Sequence, residues 1–143
     1  MTIHLVKLSV GAETVDDLRA WVKKRSRQSE EAGEGKVHQH VTRMHPRRTE
    51  ELLDGGSIYW VIKGMVQARQ KILGFKKRLG ADQIERTAIY LEPELILTEA
   101  QPRRAFQGWR YLTVEDAPKD LGKRRGKGPP PELSAELAEL GLL

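Results

Sequence analysis

The sequence predicts an α+β fold: a mainly antiparallel curved sheet or small barrel carrying two or three helices. Three observations lead there. Five or six short segments alternate apolar and polar residues and are rich in β-branched and aromatic side chains. Two or three others show helical spacing. The two kinds do not follow the strand–helix–strand rhythm of a parallel sheet.

IHLVKLSV (3–10) alternates as a strand, with Ile3, Leu5 and Lys7 on one side and His4, Val6, Leu8 and Val10 on the other. Gly11 ends it. Thr14 opens a helix: Asp17, three residues on, makes a capping-box pattern, and Asp16 and Asp17 suit the positive end of the helix dipole. Val15, Leu18, Trp21 and Val22 form one apolar stripe. From Lys23 the helix is polar and is expected to run into solvent and fray at AGEGK. KVHQHVTRM (36–44) alternates as a strand that Pro46 breaks, and RRTEELLD is a short helix stopped by Gly55 and Gly56.

SIYWVIKG (57–64) is the clearest strand. The next stretch, 65–79, is ambiguous. Val61, Met65, Ala68, Ile72, Phe75 and Leu79 have helical spacing, but Gly64 and Gly74 interrupt it. A strand is preferred, followed by a turn at LGADQ and a return strand over RTAIYLEPELIL. Pro93 removes a ladder donor and marks an edge, a bulge or a break there. PRRAFQGWRYL (102–112) ends in a last aromatic strand. One domain is expected over 1–121, with 122–143 a flexible basic linker and a short C-terminal helix.

Composition narrows the function. There are 143 residues and no cysteine, so thiolate chemistry and cysteine-held metals are excluded. No apolar run is long enough to span a bilayer, and MTIHLVKLSVG does not read as a signal peptide, so a cytoplasmic protein with no membrane partner is expected. The net charge is +5, and the cations cluster in KKRSR, RMHPRR, KKR, PRR and KRRGK, apart from the acidic stretches. Segregated charge of this kind can make a basic face, the alternative for each cluster being a solvated loop or helix face.

No P-loop, dinucleotide fingerprint or HExxH is present, so no catalytic residue and no cofactor is assigned. His38 and His40 share a strand face but lack a third ligand at definite spacing, so no metal site is assigned. Glu92 and Glu94 flank Pro93 and read as turn residues or arginine partners more readily than as a catalytic pair. The more suggestive set combines cations with aromatic rings, which together hold single-stranded nucleic acid on sheets and barrels. Trp60 is expected in the core, with Tyr59 and Lys63 on a wetter face. Arg69 is a candidate fork for phosphate or base edges, or else the partner of Glu92 or Glu94 in a buried pair. Trp109 is a candidate stacking ring, or else a structural plug over Gly108.

The stretches HLVKL, HVTRM, ELLDGGSIYWVIKG, ARQKIL, LEPEL and PRRAFQGWRYL resemble a group of short, uncharacterised alphaproteobacterial proteins filed as a domain of unknown function. The resemblance runs to about residue 121, leaves the basic tail outside, and implies a bacterial cytoplasmic protein. The order HLVKLSVGAETVDDL, then EELLDGGSIYW, then successive strands is also similar to PUA-like barrels, including the ASCH and EVE branches. That second resemblance implies a PUA-like barrel that binds RNA or modified bases, and it transfers no residue.

The expected function is therefore a non-enzymatic nucleic-acid-binding module, for RNA or modified or single-stranded nucleic acid before duplex DNA. Its expected contact residues are Arg43, Arg47, Arg48, Tyr59, Lys63, Arg69, Arg103, Arg104, Trp109 and Arg110. The alternative is a protein-interaction or assembly module, in which the arginines form a structural network or meet an acidic protein partner, with the oligomeric state open. A small metal-dependent hydrolase built on Glu92, Glu94 and the histidines has the least support.

Overall fold

The computed structural model describes residues 1–121. Along them run β1 (His4–Leu8), α1 (Val15–Glu31), β2 (His38–Thr42), α2 (Thr49–Leu53), β3 (Ser57–Ile62), β4 (Met65–Leu79), β5 (Glu85–Leu91), β6 (Ile96–Pro102) and β7 (Trp109–Leu112). The ambiguous stretch 65–79 is a strand. Lys63 and Gly64 both take positive φ, 49° and 78°, which is the two-residue turn that joins antiparallel strands with the right twist. Pro93 falls in the gap between β5 and β6. The expected linker and C-terminal helix lie outside the described residues.

The strands form one mixed sheet in the order β2-β5-β4-β3-β1-β7, with β6 also paired to β4. All its pairings are antiparallel except β1 with β3, which run parallel from Leu5↔Ile58 to Leu8↔Val61. The path does not close, so the protein has the expected curved sheet and not a closed barrel. The curvature comes from β4. This strand pairs β3 along one edge, and on the other it pairs β6 through Met65–Arg69 and β5 through Ile72–Leu79. Register shifts at Val66/Ala68 and Ile72/Gly74 bend it between the two.

Both faces of the sheet centre are buried. Leu5, Ile58, Trp60, Ile62, Ile89 and Leu91 pack with Val15, Leu18 and Val22 of α1 and Leu52 of α2. On the other face Val6, Tyr59, Val61, Val66 and Leu112 form a smaller core with Phe106 and Ala117 against it. All six β3 residues are therefore buried, and alternation along SIYWVI separates two cores, not core from water.

α1 starts with the full capping box: Asp17 N–H donates to Thr14 Oγ1 at 3.1 Å and Thr14 N–H to Asp17 Oδ2 at 3.2 Å. Its second half is not the free extension its polarity suggests. Ser26 and Ser29 are buried, Ser26 Oγ donates to Val22 O at 2.8 Å, and Ser29 Oγ accepts from Gln39 Nε2 of β2 at 3.1 Å. Small hydroxyl side chains let β2 approach this face of α1. Gly56 makes a similar close approach: a Cβ there would run into the carbonyl oxygens of Leu52 and Ile3. Among the described residues no helix is long and apolar enough to cross a membrane.

Candidate nucleic-acid interface

The end of β1, the outer side of α1 and strand β2 enclose a cleft of about 240 Å3. Trp60 contributes to its wall from β3, Trp21 and Arg25 from α1, Lys7 from β1, and His38 and His40 from β2. Trp60 is 3% exposed, as expected for a core residue, and its ring meets the His40 ring edge-on at 5.3 Å. Its Nε1–H donates to Gln70 Oε1 at 2.9 Å. Trp21 is 45% exposed and is flanked by cations, with the Arg25 guanidinium 4.5 Å and Lys24 Nζ 5.7 Å from its ring centre.

No Asp or Glu is among the described residues lining this cleft, which carries the charges of Lys7 and Arg25. Burial holds Lys7 below the usual lysine range. Burial, with the nearby Lys7, His38 and Arg25, pushes His40 down to about 3, so its imidazole is neutral at physiological pH. His40 Nε2 is sealed from solvent with no hydrogen-bond partner among the described residues. His38 lies deeper, beside Gln70 Oε1 at 3.2 Å, and burial lowers it to about 4. A ring-walled, cationic, uncompensated cleft has the chemistry to take a flat group carrying or adjoining negative charge.

The residues expected from sequence to make contacts fall into three other places. Arg43, Arg47 and Arg48 lie in the loop after β2, which is pinned to the sheet edge by β7. Trp109 Nε1–H donates to Met44 O at 2.8 Å, and Tyr111 Oη accepts from the backbone N–H groups of Arg47 and Arg48 at 3.0 and 3.2 Å. Arg43 and Arg47 are exposed, whereas Arg48 Nε donates to Glu51 Oε1 at 2.8 Å. Lys63, Arg103, Arg104 and Arg110 gather at the β3–β4 turn end. Arg103 N–H donates to Gly64 O at 2.8 Å, and the guanidiniums of Arg103 and Arg110 lie 5.8 and 5.4 Å from the Phe106 ring. Arg69 is at neither place: its Nε and Nη2 clamp Asp120 at 2.8 and 2.7 Å, and not Glu92 or Glu94.

Two of the expected rings face away from solvent. Tyr59 is 5% exposed because the second core covers the face it was expected to leave wet. Trp109 is 5% exposed and bonded to the loop, which makes it a plug and not an open stacking platform. Glu92 and Glu94 do not meet the histidines, and among the described residues no three His, Asp or Glu side chains are grouped to hold a metal ion.

The cleft residues were only partly visible in the sequence. Lys7 stands in register with Ile3 and Leu5, a cation on an apolar strand face. Lys24 and Arg25 follow Trp21 by three and four residues, the spacing that brings helix side chains together. Neither pattern shows that β2 folds over to complete the enclosure.

No curated protein and no solved structure matches the chain. The family resemblance carried by HLVKL, ELLDGGSIYWVIKG and FQGWRYL has a direct counterpart that reaches past residue 121 and takes in the basic tail. A family model described as a protein of unknown function, DUF1489, matches residues 5–143, and the chain belongs to that family.

Proposed function

We propose that the protein is a non-enzymatic binding module for nucleic acid, RNA or another single strand before duplex DNA. The observation that carries this is the cleft in which the exposed Trp21 ring, flanked by Lys24 and Arg25, stands beside Lys7 with no described carboxylate lining it, while Trp60 and His40 close its floor. It is small beside the roughly 300–1,000 Å3 of drug-sized sites, which suits one ring of a strand and not a folded ligand. Exposed Lys24 stands beside Trp21 on α1, with Glu13 and Asp17 lining the neighbouring hollow, and exposed Lys23 and Arg27 lie further round the helix. Arg43, Arg47, Lys63 and Arg104 make no ion pair among the described residues and supply further phosphate contacts. Arg48 and Arg69 are committed to Glu51 and Asp120 and contribute less.

Nuclease-treated protein is titrated with a labelled single-stranded RNA by fluorescence anisotropy over a salt series. Affinity should fall log-linearly with salt. Trp21→Ala should weaken binding about tenfold, within the about 1–3 kcal/mol of one base–aromatic stack. Removal of residues 122–143 should weaken binding without changing sequence preference. Salt-independent affinity, or full affinity in a Trp21→Ala, Arg25→Ala double variant, refutes the proposal.

Assembly is the second reading. Val41 and Met44 are exposed apolar residues on and just after the end strand β2, where a second copy can add its own strand. A stable dimer in light scattering, free of nucleic acid and indifferent to RNA, would favour assembly.

A further inference from the structure

Tyr59 and Trp60 are consecutive on β3 and point to opposite faces. Behind the indole cleft, on the Tyr59 face, lies a second hollow of about 510 Å3, lined by His4, Tyr59, Arg69, Lys119 and Asp120, among others. Apart from the Asp120 carboxylate, which Arg69 engages, its side chains offer donors. Ser57 N–H donates to His4 Nδ1 at 3.0 Å. On a neutral imidazole that leaves the proton on Nε2. Burial and the Arg69 charge hold His4 below its usual range, so the neutral form prevails at physiological pH. Burial pushes Tyr59 above its usual range, so its hydroxyl keeps its proton.

Neither His4 Nε2 nor Tyr59 Oη has a hydrogen-bond partner among the described residues, and neither is among the sealed unpartnered atoms. Both therefore open onto the hollow. Arg69 is fixed beside them by Asp120 and by Ser57 Oγ, which accepts from Nη1 at 2.8 Å. Three of its five N–H groups are thereby used and two remain. Asp120 pairs with Arg69, on which the Glu94 charge also acts, His4 is neutral, and the exposed Lys119 is the other cation of the lining.

We propose that this hollow binds a singly charged oxyanion, a phosphodiester or a carboxylate, with His4 Nε2–H and Tyr59 O–H as donors and Lys119 as the countercharge. Asp120 is already engaged by Arg69, so the groups left to meet a ligand are the donors of His4, Tyr59 and Arg69. The site is separate from the indole cleft and does not depend on the nucleic-acid proposal.

The test is an NMR titration of the full-length, 15N-labelled protein, following the His4 imidazole nitrogens. Dimethyl phosphate and sodium acetate are added separately, with sodium chloride at equal ionic strength as control. A saturable shift of His4 Nε2 is expected with at least one oxyanion and not with chloride. Saturation by dimethyl phosphate alone assigns a phosphodiester, by acetate alone a carboxylate, and by both a general mono-oxyanion site. Tyr59→Phe keeps the ring and removes the donor. His4→Asn keeps an acceptor for Ser57 N–H and removes Nε2–H; because it also removes the imidazole signal, its binding is followed, as in the native protein, at the Ser57 backbone amide. Each should weaken the saturable binding about tenfold, the worth of one hydrogen bond to a charged group. Shifts that stay linear and match chloride, or saturable binding unchanged in both variants, overturn the proposal. Trp21→Ala should leave this titration unchanged even where it abolishes RNA binding.

Discussion

Acid should destabilise this protein through its buried histidines, His38 and His40, and the share that belongs to His38 follows from its surroundings. His38 is 1% exposed, and burial holds it at about 4, against 6.5 for a solvated histidine. Trp60 Nε1–H already donates to Gln70 Oε1, so the His38 contact to the same oxygen requires the proton on Nδ1. Above pH 6.5 neither the folded nor the unfolded chain binds a second proton there. As pH falls below 6.5 the unfolded chain takes one up and the folded chain does not, so stability falls with pH. The loss stops growing once pH drops below about 4, where the folded state is protonated too. Each pH unit in that window costs about 1.4 kcal/mol, so the step from 6.5 to 5 removes roughly 2 kcal/mol. That is a large share of the roughly 5–15 kcal/mol that holds a domain together. Urea unfolding at pH 7 and pH 5 measures it. His38→Asn keeps an N–H donor near the Nδ1 position and cannot titrate, so its loss over the same interval should be about 2 kcal/mol smaller. Equal losses in the two proteins would refute the assignment, as would a His38 NMR titration midpoint near 6.5.

Gln70→Leu should be costlier at neutral pH. It strips the partners from Trp60 Nε1, His38 Nδ1 and the Glu92 carbonyl together. At about 1–3 kcal/mol for each buried group left unsatisfied, a loss of roughly 3 kcal/mol or more is expected in urea melts. Lys63→Gly relieves a non-glycine residue at φ 49° and should raise stability by up to about 1 kcal/mol, read as a higher melting temperature. Thr14→Ala breaks the capping box and should cost about 1 kcal/mol, with α1 amides near Asp17 losing hydrogen-exchange protection first. Gly56→Ala forces the backbone off Leu52 and Ile3 and should cost about 2–4 kcal/mol or prevent folding.

The features legible in the sequence were those set by neighbours in the chain. Thr14 with Asp17 and Pro93 between two strands each act over a few residues, and each sits where its local chemistry requires, whereas Lys63 and Gly64, read as the end of the strand 57–64, form the turn after it. What was not legible depends on distant partners. Arg69 finds its carboxylate 51 residues on, at Asp120, while the nearer Glu92 and Glu94 are passed over. Tyr59 looked solvent-facing because strict alternation implies one wet face, yet a second core covers that face. The polar half of α1 looked free, but serines there are small enough for β2 to lie against it. The cleft needs the last of these long-range events, so its residues appeared in the sequence only as separate oddities.

Among the described strands β1 is made first and finished last. Its two neighbours in the sheet are β3, whose pairing begins at Ile58, and β7, which ends at Leu112. A ribosome must therefore add more than fifty residues before His4–Leu8 gains one flank, and almost the whole described chain before it gains the other. Until β3 is made Leu5, Val6 and both hydrogen-bonding edges stay uncovered, and one edge stays open until β7, in a strand that ends up largely buried. Non-local pairing of this kind slows folding and leaves nascent chains prone to wrong partners. The first eight residues are thus where crowded synthesis should exact its losses.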